Sequence, residues 1–383
     1  MCTETIAVED IAIGMFVVDV GEGTFDAPRT KVGTIMRTGE QLDRLRALGV
    51  KTARIDPDKA RQLAEAEPAP SGTPASFPED VREMDQRMAQ AVALSRSMMR
   101  DVRLGRAVHP EQALPLVEGM IESAFRNESA AVFLTKLGNY DDYTYMHCVN
   151  VMVLASVFGR HMGLDDAAVR SLGLAGLLHD LGKALVPDAI LNKPGRLTEE
   201  ELAVMRTHPR KGYALLRGVR GLAEQTLLGA LEHHEKWNGE GYPDGKKAES
   251  ISIFARMLSI VDVYDAMTSN RVYHKGRAET DVLAYLFQNK DDFAPGYVER
   301  FVKTVGIYPP GTLVRLSDGS LALVCMNTAR SLLPAVAMVN RESGRVDAKV
   351  VRLETLQDAG KPVSIVEVLD RGAFPVDISG LRG

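Results

Sequence analysis

The stretch Leu177-Leu178-His179-Asp180-Leu181-Gly182-Lys183 joins a histidine and an aspartate at the end of an apolar run that predicts a helix. Imidazole nitrogens and carboxylate oxygens are both ligands for divalent metals. Successive residues of a regular helix point about 100° apart. The hydrogen-bond ladder loosens where a helix ends, so both side chains can converge on one site there. Gly182 predicts that end. Lys183 would add a positive charge beside the metals, which suits an anionic substrate.

A single His-Asp pair is also typical of an ordinary helix end, where the histidine faces the negative end of the helix dipole. Five of the eight histidines, however, fall in one helical region at positions that could meet, on different predicted helices apart from one adjacent pair. In the same region, Asp262 lies in an apolar helix where an uncompensated carboxylate would be costly to bury. The candidate metal ligands are therefore His147, His179, Asp180, His208, His233, His234 and Asp262.

These candidates exceed the three or four protein ligands that a single metal site needs. They fit two metals with a bridging aspartate and open positions for water. Nitrogen and oxygen donors without thiolate suit Fe, Mn, Co, Ni or Zn, and the spacing does not select among them. Each residue also has an ordinary alternative, such as a satisfied core histidine at His147 or a helix cap at His208. All of these alternatives would have to hold together in one region, which favours the metal site.

The composition is that of an ordinary globular protein. The 383 residues are enough for two or three domains, and the net charge of −5 gives no reason to expect nucleic acid as a partner. The three cysteines are widely spaced and predict reduced thiols in a cytoplasmic protein rather than disulfides. We find no apolar run of about 18 residues that would span a membrane, and no basic start typical of a signal peptide.

The predicted fold class is mainly α, with a small α/β or β-rich domain first and a β-rich extension last. A stretch rich in Pro, Ala and Ser predicts a linker between the first domain and the helices. The Asp318-Gly319 pair predicts a hairpin in the C-terminal extension. The predicted segments are 1–66 (regulatory or interaction domain), 67–80 (linker), 81–124 (connecting helices), 125–306 (helical domain) and 307–383 (β-rich extension). Helices are predicted at 41–48, 81–102, 111–124, 142–162, 166–180, 199–217, 222–237, 252–269, 279–288 and 296–305.

The helical domain resembles the HD-GYP subgroup of the HD-domain metal-dependent phosphohydrolases. The resemblance covers about residues 125–306 and depends on several motifs that occur in the expected order. The N-terminal unit is similar to a small domain often found ahead of HD-GYP domains. The motifs are Tyr143-Thr144-Tyr145-Met146-His147 with Asn150, His179-Asp180-Leu181-Gly182-Lys183, Ile190-Leu191-Asn192-Lys193-Pro194-Gly195, His208-Pro209, His233-His234-Glu235-Lys236-Trp237-Asn238-Gly239-Glu240-Gly241-Tyr242-Pro243 and Asp262-Val263-Tyr264-Asp265-Ala266-Met267-Thr268.

The resemblance implies an HD-type helical bundle that linearises cyclic di-GMP to pGpG, with further hydrolysis to GMP left open. It implies that the seven candidates bind two divalent metals, with Fe or Mn favoured, and that Asp180 bridges them. It places Lys183 near the scissile phosphate, and Tyr242 and Arg271 against the nucleotide. A hydroxide bridging the metals would be the nucleophile, and Lys183 and Arg271 would stabilise charge in the transition state. Without the resemblance, these two cations and Tyr242 would pass as ordinary surface residues.

Two positions depart from the family pattern. Some members bind a third metal with a glutamate where this chain has Tyr143, so we predict two metals. The segment Asn270-Arg271-Val272-Tyr273-His274 differs from the common Asp-Arg-Pro-Tyr-Lys pattern. A ligand-binding lysine is therefore missing at His274, although Lys275 is adjacent, and this puts substrate affinity in question.

Two alternatives to a cyclic di-GMP phosphodiesterase remain open. The first is an HD phosphohydrolase for another nucleotide, such as a different cyclic dinucleotide or a guanosine polyphosphate. The second is a nucleotide-responsive binding protein with little turnover, although the complete ligand set argues against simple loss of catalysis. The N-terminal domain also leaves room for a homodimer or a signalling-protein partner, and the sequence identifies neither.

Overall fold

The computed structural model describes residues 4–8, 11, 16–21, 29–35, 51–56, 76–137, 143–269, 276–328, 330, 332–358, 361–370, 374 and 376–382. The chain divides into two compact units, Met1–Ala69 and Pro70–Gly383. No helix of the described ranges is long and apolar enough to cross a membrane.

The first unit contains a four-stranded antiparallel sheet with the strand order β1-β4-β2-β3. Its strands are β1 (Glu4–Ala7), β2 (Phe16–Gly21), β3 (Arg29–Ile35) and β4 (Thr52–Ile55). Val17, Val20, Ala53 and Ile55 belong to its small apolar core. A sheet-containing N-terminal unit agrees with the sequence prediction, while the helix predicted at 41–48 lies outside the described residues.

The second unit is mainly helical up to residue 305, and this confirms the predicted fold class. Short 3₁₀ segments connect several of the helices, and the one that matters most for the site is Leu181–Leu185. The helices are α1 (Phe77–Arg103), α2 (Leu114–Arg126), α3 (Glu128–Leu137), α4 (Tyr143–His161), α5 (Asp166–Leu178), α6 (Asp188–Leu191), α7 (Glu199–Met205), α8 (His208–Leu216), α9 (Glu224–Glu232), α10 (Ile253–Thr268), α11 (Glu279–Gln288) and α12 (Tyr297–Val305).

A five-stranded antiparallel sheet with the order β11-β5-β6-β7-β8 follows the helices. The predicted hairpin is present, because β5 and β6 pair antiparallel and Gly319 between them has a φ of 84°. Sheet residues such as Leu313 and Leu323 share one apolar core with the helices. The elements are β5 (Leu313–Leu316), β6 (Leu321–Met326), β7 (Ala335–Val339), β8 (Val346–Arg352), β9 (Gln357–Asp358), β10 (Lys361–Pro362), β11 (Ile365–Leu369) and the helical turn α13 (Ser379–Arg382).

Helices α4, α5 and α10 form the centre of the helical region. Their contact surface contains large buried side chains such as Leu154, Phe158 and Tyr264. α4 and α5 approach closely at Gly176, where an added Cβ would lie 2.9 Å from the Cα atom of Met152. The fixed contact between these helices brings the end of α5 next to the first turns of α4, where His147 lies.

Several element boundaries differ from the sequence prediction. α1 begins at Phe77, inside the predicted linker, because Pro78 and two acidic residues make a favourable first turn. The helix predicted at 199–217 is two helices, and the break precedes His208, which is followed by Pro209. Proline disfavours a helical conformation in the residue before it and removes a backbone donor.

Among the elements that the sequence analysis did not predict, α3 and β8 were missed for different reasons. α3 is buried on most sides, from Ala130 to Thr135, so it lacks the apolar stripe that marks an amphipathic helix. β8 is an edge strand with three successive exposed residues, Asp347, Ala348 and Lys349, so it lacks a regular alternation.

Gly182 allows the 3₁₀ segment after the His-Asp pair to pack directly on α8. A Cβ at this position would lie 2.0 Å from the carbonyl oxygen of His208 and 2.5 Å from the amide nitrogen of Gly212. Gly182→Ala should therefore lower the free energy of unfolding by roughly 3 kcal/mol, because backbone atoms cannot move aside as a side chain can. Urea unfolding of the metal-free protein measures the effect.

Gly218→Ala is the matched control, because a Cβ at Gly218 meets nothing within 4 Å. Equal unfolding midpoints for the two variants would show that the close approach at Gly182 does not constrain the fold.

Candidate metal centre

The ends of helices supply most of the predicted ligands. His179 and Asp180 follow α5, His208 opens α8, and His233 and His234 follow α9. Only His147 on α4 and Asp262 on α10 project from helix interiors. The structure brings all seven side chains together in two groups, and within each group the potential ligand atoms lie within 4.8 Å of one another. The groups are Asp180, His208, His233 and His234, and His147, His179 and Asp262.

Asp180 lies between these two groups. Its Oδ2 atom is 3.3 Å from His179 Nε2 and 3.7 Å from His147 Nε2. Its Oδ1 atom is 3.2 Å from His208 Nε2 and 3.8 Å from His233 Nε2. Each oxygen thus faces the imidazoles of a different group, which is the geometry that a bridging carboxylate needs.

Asp262 also contacts both groups, from the α10 side. Its Oδ1 atom lies 3.0 Å from His147 Nε2, and its Oδ2 atom lies 3.7 Å from His234 Nδ1. The aspartate is 7% exposed and His147 is 3% exposed, so bulk water cannot replace the missing solvation of the carboxylate. Its partners therefore have to come from the cluster itself.

The donor atoms fit a divalent metal. Among the described residues, His179 Nε2 and Asp180 Oδ1 are fully buried without a hydrogen-bond partner. Buried polar atoms normally have partners because leaving them unsatisfied is costly. A cation between these nitrogen and oxygen atoms would satisfy both of them, and such mixed donors suit mid-series divalent metals. The ligand role of each residue and the number of metals stay predictions.

Backbone carbonyls orient three of the imidazoles. His179 Nδ1 donates to Gly176 O at 2.7 Å, and His208 Nδ1 donates to Met205 O at 2.8 Å. His233 Nδ1 makes the same bond to the carbonyl of Ala230, also three residues earlier, at 3.0 Å. Because Nδ1 carries the proton, Nε2 keeps its lone pair available for a metal and faces the cluster. A helix end therefore supplies both the ligand and the group that holds it.

His147 is held differently, by a carboxylate on another helix. Its Nδ1 atom lies 2.8 Å from Asp265 Oδ2, one turn along α10 from Asp262. The sequence analysis missed Asp265 as a functional residue. The argument that singled out Asp262, a carboxylate in an apolar helix, applies equally to Asp265 and would have found it.

Electrostatics favour the protonation states that metal ligands require. Burial would raise the pKa of Asp180, but His179, Lys183 and His208 hold that pKa well below its usual range. Burial lowers the pKa of His234 to about 3, and burial together with neighbouring imidazoles lowers the pKa of His233 well below its usual value. The carboxylate is therefore ionised and these two imidazoles are neutral near pH 7.

His147 is the exception in the metal-free protein. Burial would lower the pKa of its imidazole, but hydrogen bonds with Asp262 and Asp265 outweigh burial and raise this pKa to about 9. A proton on Nε2 of His147 thus takes the place of a cation between the imidazole and Asp262.

Lys183 lies at the edge of the cluster. Its Nζ atom is 2.5 Å from Asp180 Oδ2, and its side chain is 23% exposed. Burial would lower the pKa of the ammonium, but Asp180 and Asp262 raise this pKa. Lys183 is consequently a charged group that touches the cluster and remains accessible to a ligand from solvent.

The Gly241-Tyr242-Pro243 loop folds onto the ligand group that contains His234. The ring of Tyr242 stacks on the ring of His234, with centroids 4.7 Å apart and an interplanar angle of 29°. The Tyr242 amide donates to the carbonyl of His234 at 3.1 Å. Gly241 permits this fold, because an added Cβ would lie 2.3 Å from the amide nitrogen of Lys236. An aromatic face therefore covers one side of the cluster.

Arg206 is a second residue that the sequence analysis missed. Its guanidinium lies 5.3 Å from the centroid of the Tyr242 ring, within cation–π range. The residue is exposed, and it stands two positions before His208 at the break between α7 and α8. Arg271 and His274, by contrast, lie outside the described residues, as does the side chain of Tyr143. The predictions attached to those three positions are unchanged.

Comparison with known proteins agrees with this arrangement. A model of the HD domain family matches residues 115–295, and a model of a domain of unknown function, DUF3391, matches residues 3–113. A cyclic di-GMP phosphodiesterase of Pseudomonas aeruginosa is 39% identical over 342 residues, which cover 86% of this chain and 83% of that protein.

Two further relatives match shorter stretches of the chain. The cyclic di-GMP phosphodiesterase response regulator RpfG of Xanthomonas campestris is 43% identical over 138 residues, 36% of each chain. A 3'3'-cGAMP-specific phosphodiesterase of Vibrio cholerae is 34% identical over 158 residues, which cover 41% of this chain and 30% of that protein. The match over most of the chain, together with the site, shows that this protein belongs to the HD-GYP family of phosphodiesterases within the HD-domain metal-dependent phosphohydrolases.

Proposed function

We propose that this enzyme hydrolyses a phosphodiester bond of cyclic di-GMP and releases the linear product pGpG. The observation that carries the proposal is the position of Asp180, whose two oxygens face separate groups of imidazoles while Lys183 contacts one of them. Relatives named as cyclic di-GMP phosphodiesterases support the choice of substrate. The proposal leaves open a second step, in which pGpG is hydrolysed further to GMP.

Two divalent metals, when bound, would supply a bridging hydroxide as nucleophile and neutralise charge on the phosphoryl oxygens. The residues of the chain would do the rest. Asp180 and Asp262 would help to hold both metal ions, since each carboxylate lies close to imidazoles of both groups. Lys183, charged and 23% exposed, would contact the phosphate from the open side and stabilise its developing charge.

Tyr242 and Arg271 would contact the nucleotide bases or the second phosphate. Support for Tyr242 comes from its ring, which stacks on His234 and shields the cluster from one side. An aromatic ring at this position can stack on a planar base. The role of Arg271 depends on the family resemblance alone.

The metal count and identity are also part of the proposal. The division of the seven donors into two groups favours two metals, and the family favours Fe or Mn, with Zn, Co or Ni as the other candidates. Metal content per chain, measured on protein purified without oxygen, tests the number directly.

A related cyclic dinucleotide is the second candidate substrate. Two similar proteins of Vibrio cholerae are named 3'3'-cGAMP-specific phosphodiesterases, and the departure at His274 falls in the segment that the family uses for nucleotide contacts. Parallel turnover assays with cyclic di-GMP, 3'3'-cGAMP and a guanosine polyphosphate distinguish the candidates. Metal binding without turnover of any of them would favour the nucleotide-responsive binding protein instead.

Cellular context remains at the level of prediction. The cytoplasmic setting is supported by the free thiols of Cys148 and Cys325, which are both buried. A homodimer or a signalling-protein partner is supported only by the small N-terminal unit, so light scattering of the purified protein is the first test of assembly.

Asp180→Ala should abolish the bridge between the two donor groups. We expect loss of bound metal and a fall in cyclic di-GMP turnover of at least about 10³-fold, because the metals supply several kcal/mol of transition-state stabilisation. Elemental analysis and product chromatography measure the two effects. Asp188→Ala is the control, since Asp188 is exposed and pairs with Arg103. Normal metal content and turnover in Asp180→Ala would refute the bridged site.

Lys183→Ala should separate metal binding from catalysis. We expect bound metal to be retained and turnover to fall by about 10²- to 10³-fold, the usual effect of removing one group that stabilises developing charge. Lys193→Ala is the matched control, because Lys193 is similarly exposed and pairs with Glu201 at 2.6 Å. An unchanged rate in Lys183→Ala would remove this lysine from the mechanism.

Metal affinity should rise with pH between pH 7 and 9. The pKa of His147 is about 9 in the metal-free protein, so a metal must displace a proton at lower pH. Each pH unit below 9 should weaken Mn²⁺ binding by up to about tenfold, and the affinity should level off above it. Calorimetry in two buffers of different ionisation enthalpy counts the released protons. An affinity that does not change over this range would contradict the protonated state of His147.

A further inference from the structure

A buried lysine and aspartate lie directly behind His147. Asp265 Oδ2 accepts the Nδ1 proton of His147 at 2.8 Å, and the Nζ atom of Lys136 lies 3.7 Å from Asp265 Oδ1. The side chains of Lys136 and Asp265 are 1% and 0% exposed. We propose that the Lys136–Asp265 pair is a positioning unit that holds His147 in its metal-binding orientation, and that the C-terminal sheet holds the pair in place.

Lys136 is tied to α10 by more than its charge. Its Nζ atom donates to Thr268 Oγ1 at 2.5 Å and lies 4.3 Å from the centroid of the Tyr264 ring. These contacts join α3 to residues more than 100 positions later in the chain. A lysine in such a place is costly to bury unless its charge is compensated, and Asp265 contributes to that compensation.

Asn150 completes the connection between three helices. Its Nδ2 atom donates to Asp265 Oδ1 at 2.9 Å and to the carbonyl of Thr135 at 3.0 Å. Asn150 lies three residues after His147 on α4, and Thr135 adjoins Lys136 on α3. Asp265 therefore accepts hydrogen bonds from His147 and Asn150 on α4 and lies beside the ammonium of Lys136 on α3. Its carboxylate has little freedom to rotate away from His147.

Stability alone does not account for this pair. A buried ion pair is weak evidence for stability, since apolar residues of similar volume often replace such pairs at no cost. The carboxylate partner does, however, change the ligand. A histidine whose second nitrogen donates to a carboxylate is a more basic metal ligand than one that donates to a carbonyl, and its orientation is fixed. Four of the candidate metal-ligand histidines have a described Nδ1 hydrogen bond, and among these four His147 is the one with a carboxylate partner.

The C-terminal sheet forms the outer wall behind Lys136. An added Cβ at Gly311 would lie 3.0 Å from the Cβ of Lys136. Gly311 N donates to Val324 O on β6 at 2.7 Å, and Asn327 N donates to Ser129 Oγ on α3 at 3.2 Å. α3 is therefore packed between the sheet and the ligand-bearing helices, which gives the sheet a place in the support of the metal centre.

The test compares Mn²⁺ affinity among variants of the full chain, measured by competition with a chelator. Lys136→Met and Asp265→Asn should each weaken binding by about 10- to 100-fold, as is usual when the partner of a metal-bound histidine is removed. They should also change the visible spectrum of the Co²⁺-loaded protein, which reports ligand geometry. Lys136→Arg keeps the charge and should recover most of the affinity.

Lys246→Met is the matched control, because Lys246 pairs at 2.5 Å with Glu232, another buried carboxylate, which also accepts from Ser252 N. Its Mn²⁺ affinity should equal that of the unmodified protein. If Lys136→Met does not fold, Thr268→Val replaces it and should still alter the Co²⁺ spectrum, whereas Lys136→Arg should leave that spectrum nearly unchanged. Lower thermal stability with unchanged Mn²⁺ affinity and Co²⁺ spectrum would reduce the pair to a structural element and overturn the proposal.

The contribution of the sheet is tested by Gly311→Ala against Gly319→Ala. Both glycines have positive φ, 97° and 84°, so both substitutions strain the backbone, but a Cβ at Gly319 meets nothing within 4 Å. Only Gly311→Ala should weaken Mn²⁺ binding. Equal Mn²⁺ affinities in the two variants would overturn the role of the sheet.

These measurements rest on the proposed metal site but not on its substrate. Absence of cyclic di-GMP turnover by the unmodified protein would overturn the proposed function and leave the affinity comparison intact. Normal turnover by the unmodified protein, with unchanged affinity in the variants, would overturn only the positioning role.

Discussion

The buried carboxylate of Asp180 is the constraint on which this structure depends. It has no exposure to solvent and lies within 4 Å of four imidazole nitrogens on both sides. A charge in that position is tolerated only if the surroundings compensate it. The surrounding helices are arranged to do so, because α4, α5, α8 and α9 each deliver a histidine to this point. The close packing at Gly176 and Gly182 is what lets those helices converge.

The sequence singled out seven side chains that the structure brings together, because their signal is chemical. Seven side chains capable of binding metal in one helical region are hard to explain otherwise, although their ligand roles stay predictions. The order of the motifs then implied the family and the mainly α fold. The hairpin at Asp318-Gly319 was predictable for a similar reason, since turn chemistry is local. The individual ligand roles remain inferences from geometry and resemblance.

What the sequence did not reveal depends on contacts between distant residues. Lys136 meets Thr268 across 132 positions, and His147 meets Asp265 across 118. No local pattern encodes such pairs. α3 was missed because burial on most sides removes the helical periodicity, and Arg206 because its partner Tyr242 comes close only when the loop folds back. The break between α7 and α8 was missed for the opposite reason. The pattern of polar and apolar residues continues across Pro209, so it predicted one helix where the structure has two.

The meeting of helix ends at the cluster affects the order in which ligands can enter. α5 and α9 both terminate at the donors, so the partial negative charges of their last carbonyls point towards the same space as two carboxylates. In the metal-free pocket, the Lys183 ammonium and the protonated His147 only balance the charges of Asp180 and Asp262. A dianionic ligand would therefore meet no net attraction there, whereas bound cations would make the local potential positive. If the proposed function holds, the ions would enter first and the nucleotide would follow.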